Sequence, residues 1–237
     1  MTRSKKICLI TGASSGIGHA IAESLKNDDA YQLVVTARRI DRLNALKSEN
    51  VDIIAGDIML PEFQHDLEKH IMEKYGECHY LFNCAGSIEV GSIEEIDIEK
   101  MVAMIRLNVE ATFRLTYAFL KIFKKQGLGH VINFSSVLGT KVRPTAGAYA
   151  ASKFAMEALS EALRMELAGT AVRVSCIEPG LVVTELHKNW PVHPKDSMNI
   201  KEPLTTADIV DAVQFIIRQP AHVNIPKLMM LPRDHVI

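Results

Sequence analysis

The stretch Thr11-Gly-Ala-Ser-Ser-Gly-Ile-Gly18 satisfies two chemical patterns at once. Its glycines Gly12, Gly16 and Gly18 suit a tight turn that brings backbone amides against a dinucleotide pyrophosphate at a helix N-terminus. Residues 12–16 also match G-x-S-x-G, the nucleophile elbow of a serine hydrolase. Both patterns need a strand before and a helix after, and the chain offers both: an apolar run at 7–10 and an amphipathic stretch at 17–27.

Outward from that turn, short apolar runs alternate with longer amphipathic segments. Strands are expected at 7–10, 33–36, 52–55, 80–83, 131–134, 172–177 and 228–231, and helices at 17–27, 39–48, 61–75, 99–125, 149–168 and 207–218. Strict β/α alternation implies a parallel sheet with helices on both faces, because each parallel pair needs a crossover. No repeat or Gly/Ser linker divides the 237 residues, so a single domain is expected. The irregular segment 185–203, which contains Pro191, Pro194 and Pro203 and follows a strand's carboxyl end, is expected to act as a lid over a substrate.

Composition narrows the partners. With 27 basic and 28 acidic residues the chain has no general field to hold nucleic acid, and no apolar run is long enough to span a bilayer. Neither a nucleic acid nor a membrane is an expected partner. Cys8, Cys78, Cys84 and Cys176 are scattered and form no C-x-x-C pair, which fits buried reduced thiols in a cytoplasmic protein. No His/Cys/carboxylate spacing suggests a metal site.

Two features outside the glycine turn decide its chemistry. An elbow at Ser14 would leave almost no chain upstream for the usual earlier strands and oxyanion loop. A dinucleotide site instead requires a group that handles the adenosine ribose about 20 residues past the last glycine. There stand Arg38 and Arg39, whose guanidiniums suit a 2'-phosphate, where an acidic residue would suit a 2'-hydroxyl. NADP(H) is therefore favoured over NAD(H), although Asp41 offers Arg38 an alternative partner. Farther on, Tyr149 and Lys153 share one helix face at i, i+4, thirteen residues after the hydroxyl of Ser136. A nearby ammonium is expected to lower the phenol's pKa enough for proton transfer at neutral pH.

Together these pieces resemble the short-chain dehydrogenase/reductase family along nearly the whole chain. The matching elements are the glycine turn, Asp57, Asn83-Cys-Ala-Gly86, Asn108, Ser135-Ser136, Tyr149 to Lys153, and Pro179-Gly180 with Thr184. The resemblance implies a three-layer, doubly wound Rossmann-type α/β sheet of about seven strands. It also implies catalytic roles. Tyr149 would be the acid-base and Ser136 a hydrogen-bond partner of the reacting oxygen; Lys153 would bind the nicotinamide ribose, and Asn108 would hold a relay water. Cofactor contacts would come from Gly12, Ser14, Ser15, Gly16, Ile17, Gly18, Arg38, Arg39, Asp57, Ile58, Asn83, Ala85, Gly86, Pro179, Gly180, Val182 and Thr184, besides Tyr149 and Lys153. Taken alone, Asn108 could equally satisfy backbone at a helix kink, and Asn83 could cap a strand end.

Segments 171–182, 204–208 and 219–225 are similar to the NADP-dependent 3-hydroxy acid dehydrogenases, which act on serine-like acids and small semialdehydes; the C-terminal tail is shorter than in that branch. The expected substrate is a small polar carbonyl or alcohol, with Arg143, His187, Lys188 and Lys195 as candidate cations, while Trp190 and His193 sit in the same irregular segment. Family members usually pair through the two long helices, so a homo-oligomer, dimer or tetramer, is expected. A non-catalytic dinucleotide sensor of the same fold is the competing reading.

Overall fold

The computed structural model describes residues 5–188, 190, 192 and 194–237. All seven expected strands form: β1 (Lys6–Thr11), β2 (Tyr31–Ala37), β3 (Val51–Ala55), β4 (Tyr80–Asn83), β5 (Gly129–Phe134), β6 (Val172–Pro179) and β7 (Lys227–Met230). They make one parallel sheet in the order β3-β2-β1-β4-β5-β6-β7. The order reverses between β1 and β4, and at such a point the connections leave in opposite directions and open a crevice.

The apolar runs are continuous because both sheet faces are covered. Alternate residues serve opposite sides. Cys8, Ile10, Leu33, Val35, Phe82, Ile132 and Ile177 pack with helices α1 (Gly16–Leu25) and α8 (Thr206–Ile217). Ile7, Leu9, Val34, Leu81, Val131 and Val174 pack with α3 (Pro61–Tyr75), α5 (Thr112–Gln126) and α6 (Gly147–Glu166). Among the described residues two short helices, α2 (Ile40–Leu43) and α7 (Pro194–Ser197), complete the set, besides α4 (Ile98–Ile105), which leads into α5.

Two expected helices differ. The segment 39–48 holds only α2 and a 3-10 turn, Asn44–Leu46, because Leu43 and Leu46 bury themselves and the chain then turns back into β3. The long helix at 99–125 is interrupted by a π turn, Arg106–Ala111. Its wide ring is held by the Thr112 hydroxyl, which donates to the Leu107 carbonyl at 3.0 Å. Such bulges cluster at functional sites, and this one contains Asn108.

Among the described residues no helix is long and apolar enough to cross a membrane. Cys8, Cys78 and Cys176 are buried, Cys84 is half-buried, and all are free thiols.

His130 is a buried polar residue whose surroundings make stability depend on pH. On β5, its imidazole meets the Ser175 hydroxyl at 2.8 Å, and burial, aided by the charge of Arg173, brings its pKa down to about 3. The folded state thus keeps this ring neutral where the unfolded chain, near 6.5, takes up a proton. Stability is fully present above about pH 6.5 and is lost as pH falls toward 3. Urea unfolding followed from pH 7 to 4 should show a steeper decline for the wild type than for His130→Gln. The gap between the two curves should open to about 3 kcal/mol at pH 4; parallel curves would refute the assignment.

Candidate active site

The carboxyl ends of β1, β2, β3, β4, β5 and β6 all open into one cavity of about 580 Å³, a volume typical of ligand sites. Its floor is set by close backbone approach. The Thr11 hydroxyl donates to the Phe82 carbonyl at 3.3 Å and accepts from the Ala85 amide at 3.0 Å, tying β1 to the loop after β4. Gly12, at φ +66°, lies so near that loop that a Cβ would stand 2.8 Å from the Ala85 backbone. Only glycine permits both the conformation and the approach.

At one end of the cavity lies the N-terminus of α1. No side chain caps this helix: Ser15 is extended and makes no capping hydrogen bond, so the first-turn amides face the cavity with the positive end of the helix dipole. Gly12, Ser14, Ser15, Gly16 and Ile17 line the cavity here, whereas Gly18 instead packs the helix onto the turn, where a Cβ would meet the Thr11 and Gly12 carbonyls at 2.9 Å. Arg38 and Arg39 border the same end. Arg39 donates to the Ser14 hydroxyl at 3.1 Å and to Ser15 at 2.6 Å, and pairs with Glu185 at 3.0 Å; Arg42 reaches the same carboxylate at 3.5 Å. The hydroxyl of Ser14 is therefore engaged by a guanidinium, with no histidine base hydrogen-bonded to it among the described residues. The elbow reading of 12–16 lapses on that chemistry.

Along the middle wall stand Asp57 and Ile58, Ala85 and Gly86, and, from β6 onward, Pro179, Gly180, Val182 and Thr184. Asp57 accepts from the Met59 amide at 2.9 Å, which shapes its turn. Asn83 borders the cavity, yet its amide is turned into the core. It donates to Thr116 and to Asn133, both at 2.8 Å, and Asn133 donates on to Ser160 at 2.9 Å. Asn108 does not reach the cavity wall; its side chain accepts from the Ser87 amide and donates to the Ser87 carbonyl and the Ser152 hydroxyl. It clamps the loop after β4 to α6 from within the π turn.

At the other end, Ser136, Tyr149 and Lys153 converge. Ser136 caps the 3-10 turn Val137–Gly139 and lies close enough to Tyr149 to oppose the rise in its pKa. The Lys153 ammonium lies 5.7 Å from the Tyr149 ring centre and donates to the Phe134 carbonyl at 2.9 Å. The expected lowering of the phenol's pKa does not appear in this arrangement. Burial pushes Tyr149 up to about 12, opposed by Ser136 and by Arg143, while burial brings Lys153 down to about 8 against the influence of Cys176, Glu157 and Cys84. Desolvation outweighs the pairing because the ammonium sits over the ring, bonded to a carbonyl, rather than at the phenol oxygen.

Several lining residues had no signal in the sequence. Met198 and, from the tail, His235 and Ile237 reach the cavity, brought there because the chain after β7 folds back, with the Lys201 amide donating to Asp234 at 2.7 Å. Arg143, His187 and Lys188 also line it, whereas Trp190, 5.0 Å from the His187 ring, and Lys195 do not; His193 lies outside the described residues. Among the described residues no group of three His, Cys, Asp or Glu could hold a metal ion.

Known proteins with this arrangement are numerous. An uncharacterized oxidoreductase of Staphylococcus saprophyticus is 34% identical over 234 residues, covering 96% of this chain and 97% of its own length, and one of Staphylococcus epidermidis is 32% identical over 231 residues, with the same shares. A serine dehydrogenase in its closed form, complexed with NADP+, superposes with a TM-score of 0.88 at 30% identity over 94% of each chain. An alcohol dehydrogenase of the archaeon Thermococcus sibiricus, complexed with 5-hydroxy-NADP, gives 0.87 at 29% identity over 99% of each. With the family model described as short chain dehydrogenase matching residues 6–194, this chain belongs to the short-chain dehydrogenase family of oxidoreductases.

Proposed function

We propose that the protein is an NADP(H)-dependent reductase or dehydrogenase acting on a small polar carbonyl/alcohol pair, with a 3-hydroxy acid and its semialdehyde as the fitting substrates. One observation carries this reading: a single cavity joins an uncapped helix N-terminus flanked by Arg38 and Arg39 to the cluster of Ser136, Tyr149 and Lys153. The donor set at the first end suits a pyrophosphate and a 2'-phosphate. Bound there, the dinucleotide supplies or accepts hydride.

The chain's own residues then handle the oxygen and its proton. Tyr149, protonated well past neutrality, holds the proton at its phenol oxygen and delivers it to the carbonyl oxygen during reduction; Ser136 hydrogen-bonds that same oxygen and fixes its position. Lys153 presents a buried positive charge beside the phenol, so that charge left on the tyrosine is stabilised as the proton leaves. Asn108 would act from behind, through the loop and helix that it clamps together. Segment 185–203 would serve as the lid, since Glu185, Pro194 and Met198 within it reach the cavity.

Support for an acidic substrate comes from Arg143. It lines the cavity close enough to Tyr149 to influence its titration, and among the described residues no carboxylate lies within ion-pair distance of it; its guanidinium donates to the Met198 sulfur at 3.0 Å. A guanidinium so placed suits a substrate carboxylate. We further infer a cytoplasmic homo-oligomer, since Val102, Tyr117, Phe154 and Met165 stand exposed on the helices through which relatives of this family pair.

NADPH oxidation across a panel of small aldehydes, semialdehydes and ketones should reveal turnover that Tyr149→Phe reduces by about 10²- to 10⁴-fold. Retained NADPH binding in that variant is expected; tight NADPH binding with no turnover anywhere on the panel would make the protein a dinucleotide sensor. Arg38→Asp should shift the NADP(H)/NAD(H) preference by about tenfold or more toward NAD(H), and an unchanged ratio would remove the 2'-phosphate assignment. Arg143→Gln should raise KM for a carboxylated semialdehyde by about 10-fold or more while sparing an uncharged aldehyde of similar size. An equal effect on both would sink the substrate assignment.

A further inference from the structure

Below Lys153, on the side away from the cavity, lies a group of charges that the reaction does not obviously need. Glu178, at the end of β6, is fully buried, and Glu157, one turn beyond Lys153 on α6, is nearly so. Both carboxylates are held by one amine: Lys227 of β7 lies 2.9 Å from Glu157 and 2.8 Å from Glu178. The Cys176 thiol donates to the other Glu157 oxygen at 3.4 Å. Burying such charges costs several kcal/mol each before pairing, and apolar residues of similar size would hold the sheet and helix together as well. Stability alone gives little reason for the cluster.

Its position gives a better one. Gly139, just past Ser136, has no side chain, and a Cβ there would clash with the Ser135 hydroxyl and stand 3.2 Å from a Glu157 oxygen. The missing side chain leaves room for the carboxylate to lie beside the serines of the site. Ser135 in turn donates to the Lys153 carbonyl at 3.2 Å. Glu157 thus lies beside the turn that follows Ser136, one turn along α6 from Lys153.

The groups facing Lys153 can be enumerated element by element. Its own helix contributes Tyr149 and Glu157, β6 contributes Cys176, and the loop after β4 contributes Cys84. Burial raises both thiols far above neutrality, so they are uncharged, and Tyr149 is a neutral phenol. The 3-10 turn Val137–Gly139 brings no ionisable side chain, and in the π turn Arg106 pairs outward with Glu110. Lys227 and Glu178 act through Glu157, with the exposed Glu161 near Lys227. Burial and the neighbouring Glu157 both favour a proton on Glu178. Glu157 is the carboxylate carried by the same helix as the buried ammonium, one turn beyond it.

We propose that Glu157 is a positioning residue for the reaction: held by Lys227 against Glu178, its carboxylate is the internal counter-ion that keeps the buried Lys153 ammonium charged. This rests on the oxidoreductase reading for its consequence in turnover, but not for its electrostatics. Without Glu157, desolvation would act on Lys153 with less opposition, and the cation beside Tyr149 would be lost at a lower pH.

The test is an NMR titration of the protein without cofactor, labelled with ¹³Cε-lysine, with the Lys153 signal assigned from the spectrum of Lys153→Met. In Glu157→Gln the Lys153 midpoint should fall by about one pH unit or more, and Glu157→Asp, which keeps the charge, should restore most of it. The alkaline limb of kcat/KM should move down by the same amount. An unchanged Lys153 midpoint in folded Glu157→Gln would overturn the proposal. Lys227→Met, which removes the cation and keeps both carboxylates, provides a second reading: the midpoint should stay at or above that of the wild type, and a fall would overturn the proposal. A lowered midpoint in Glu157→Gln with no turnover by any variant would support this inference and defeat the oxidoreductase reading instead.

Discussion

Everything in the site hangs on the contact between Thr11-Gly12 and the loop that leaves β4. A single hydroxyl satisfies a carbonyl and an amide of that loop, and a glycine without a side chain lets the two backbones touch. Because this contact sits where the strand order reverses, it fixes the width of the crevice that the flanking connections leave open. A bulkier residue at position 12 would have to push β1 and β4 apart at their carboxyl ends. The glycine turn, the wall at Ala85 and Gly86, and the distance from α1 to α6 would all change together.

From that constraint the two ends of the cavity acquire opposite electrostatic characters. The α1 end is built from peptide dipoles and arginines near solvent, where charge is inexpensive and anions are drawn in. The α6 end is built from buried groups, where a charge persists only if something compensates it. Hydride chemistry on a carbonyl needs both: an anchored polyphosphate and a proton held in a dry place until the oxygen requires it. The fold separates these tasks along one sheet edge, and the parallel strands deliver residues to each in register.

The sheet was highly legible in the sequence because strands covered on both faces are written as unbroken apolar runs; the runs at 7–10, 33–36 and 131–134 lie within strands that form. Ser136, Tyr149 and Lys153 were legible because a strand end and a helical i, i+4 pair lie at fixed distance along the chain. What remained hidden was mostly a matter of depth. Asn83 and Asn108 carry the same letters whether an amide faces the cavity or the core, and here both make core hydrogen bonds. The π turn leaves no mark in an amphipathic period that is disturbed by a single extra residue. Glu157 reads as one more solvated carboxylate on a helix until Gly139 and Lys227 are seen around it. His235 and Ile237 were beyond inference because only the return of the tail brings them to the cavity.

The pair between Arg39 and Glu185 joins the root of the segment 185–203 to the guanidinium that faces the α1 end. Both partners are substantially exposed, and an ion pair of that kind is weak and screened by solvent. A doubly charged anion arriving at Arg39 competes with this carboxylate on favourable terms. The exchange is reciprocal: whatever anion takes Arg39 loosens one tether of the segment, and whatever holds the segment down taxes the anion by an equal free energy. Anion entry at one end of the crevice and release of the Glu185 end of this segment are therefore a single thermodynamic quantity.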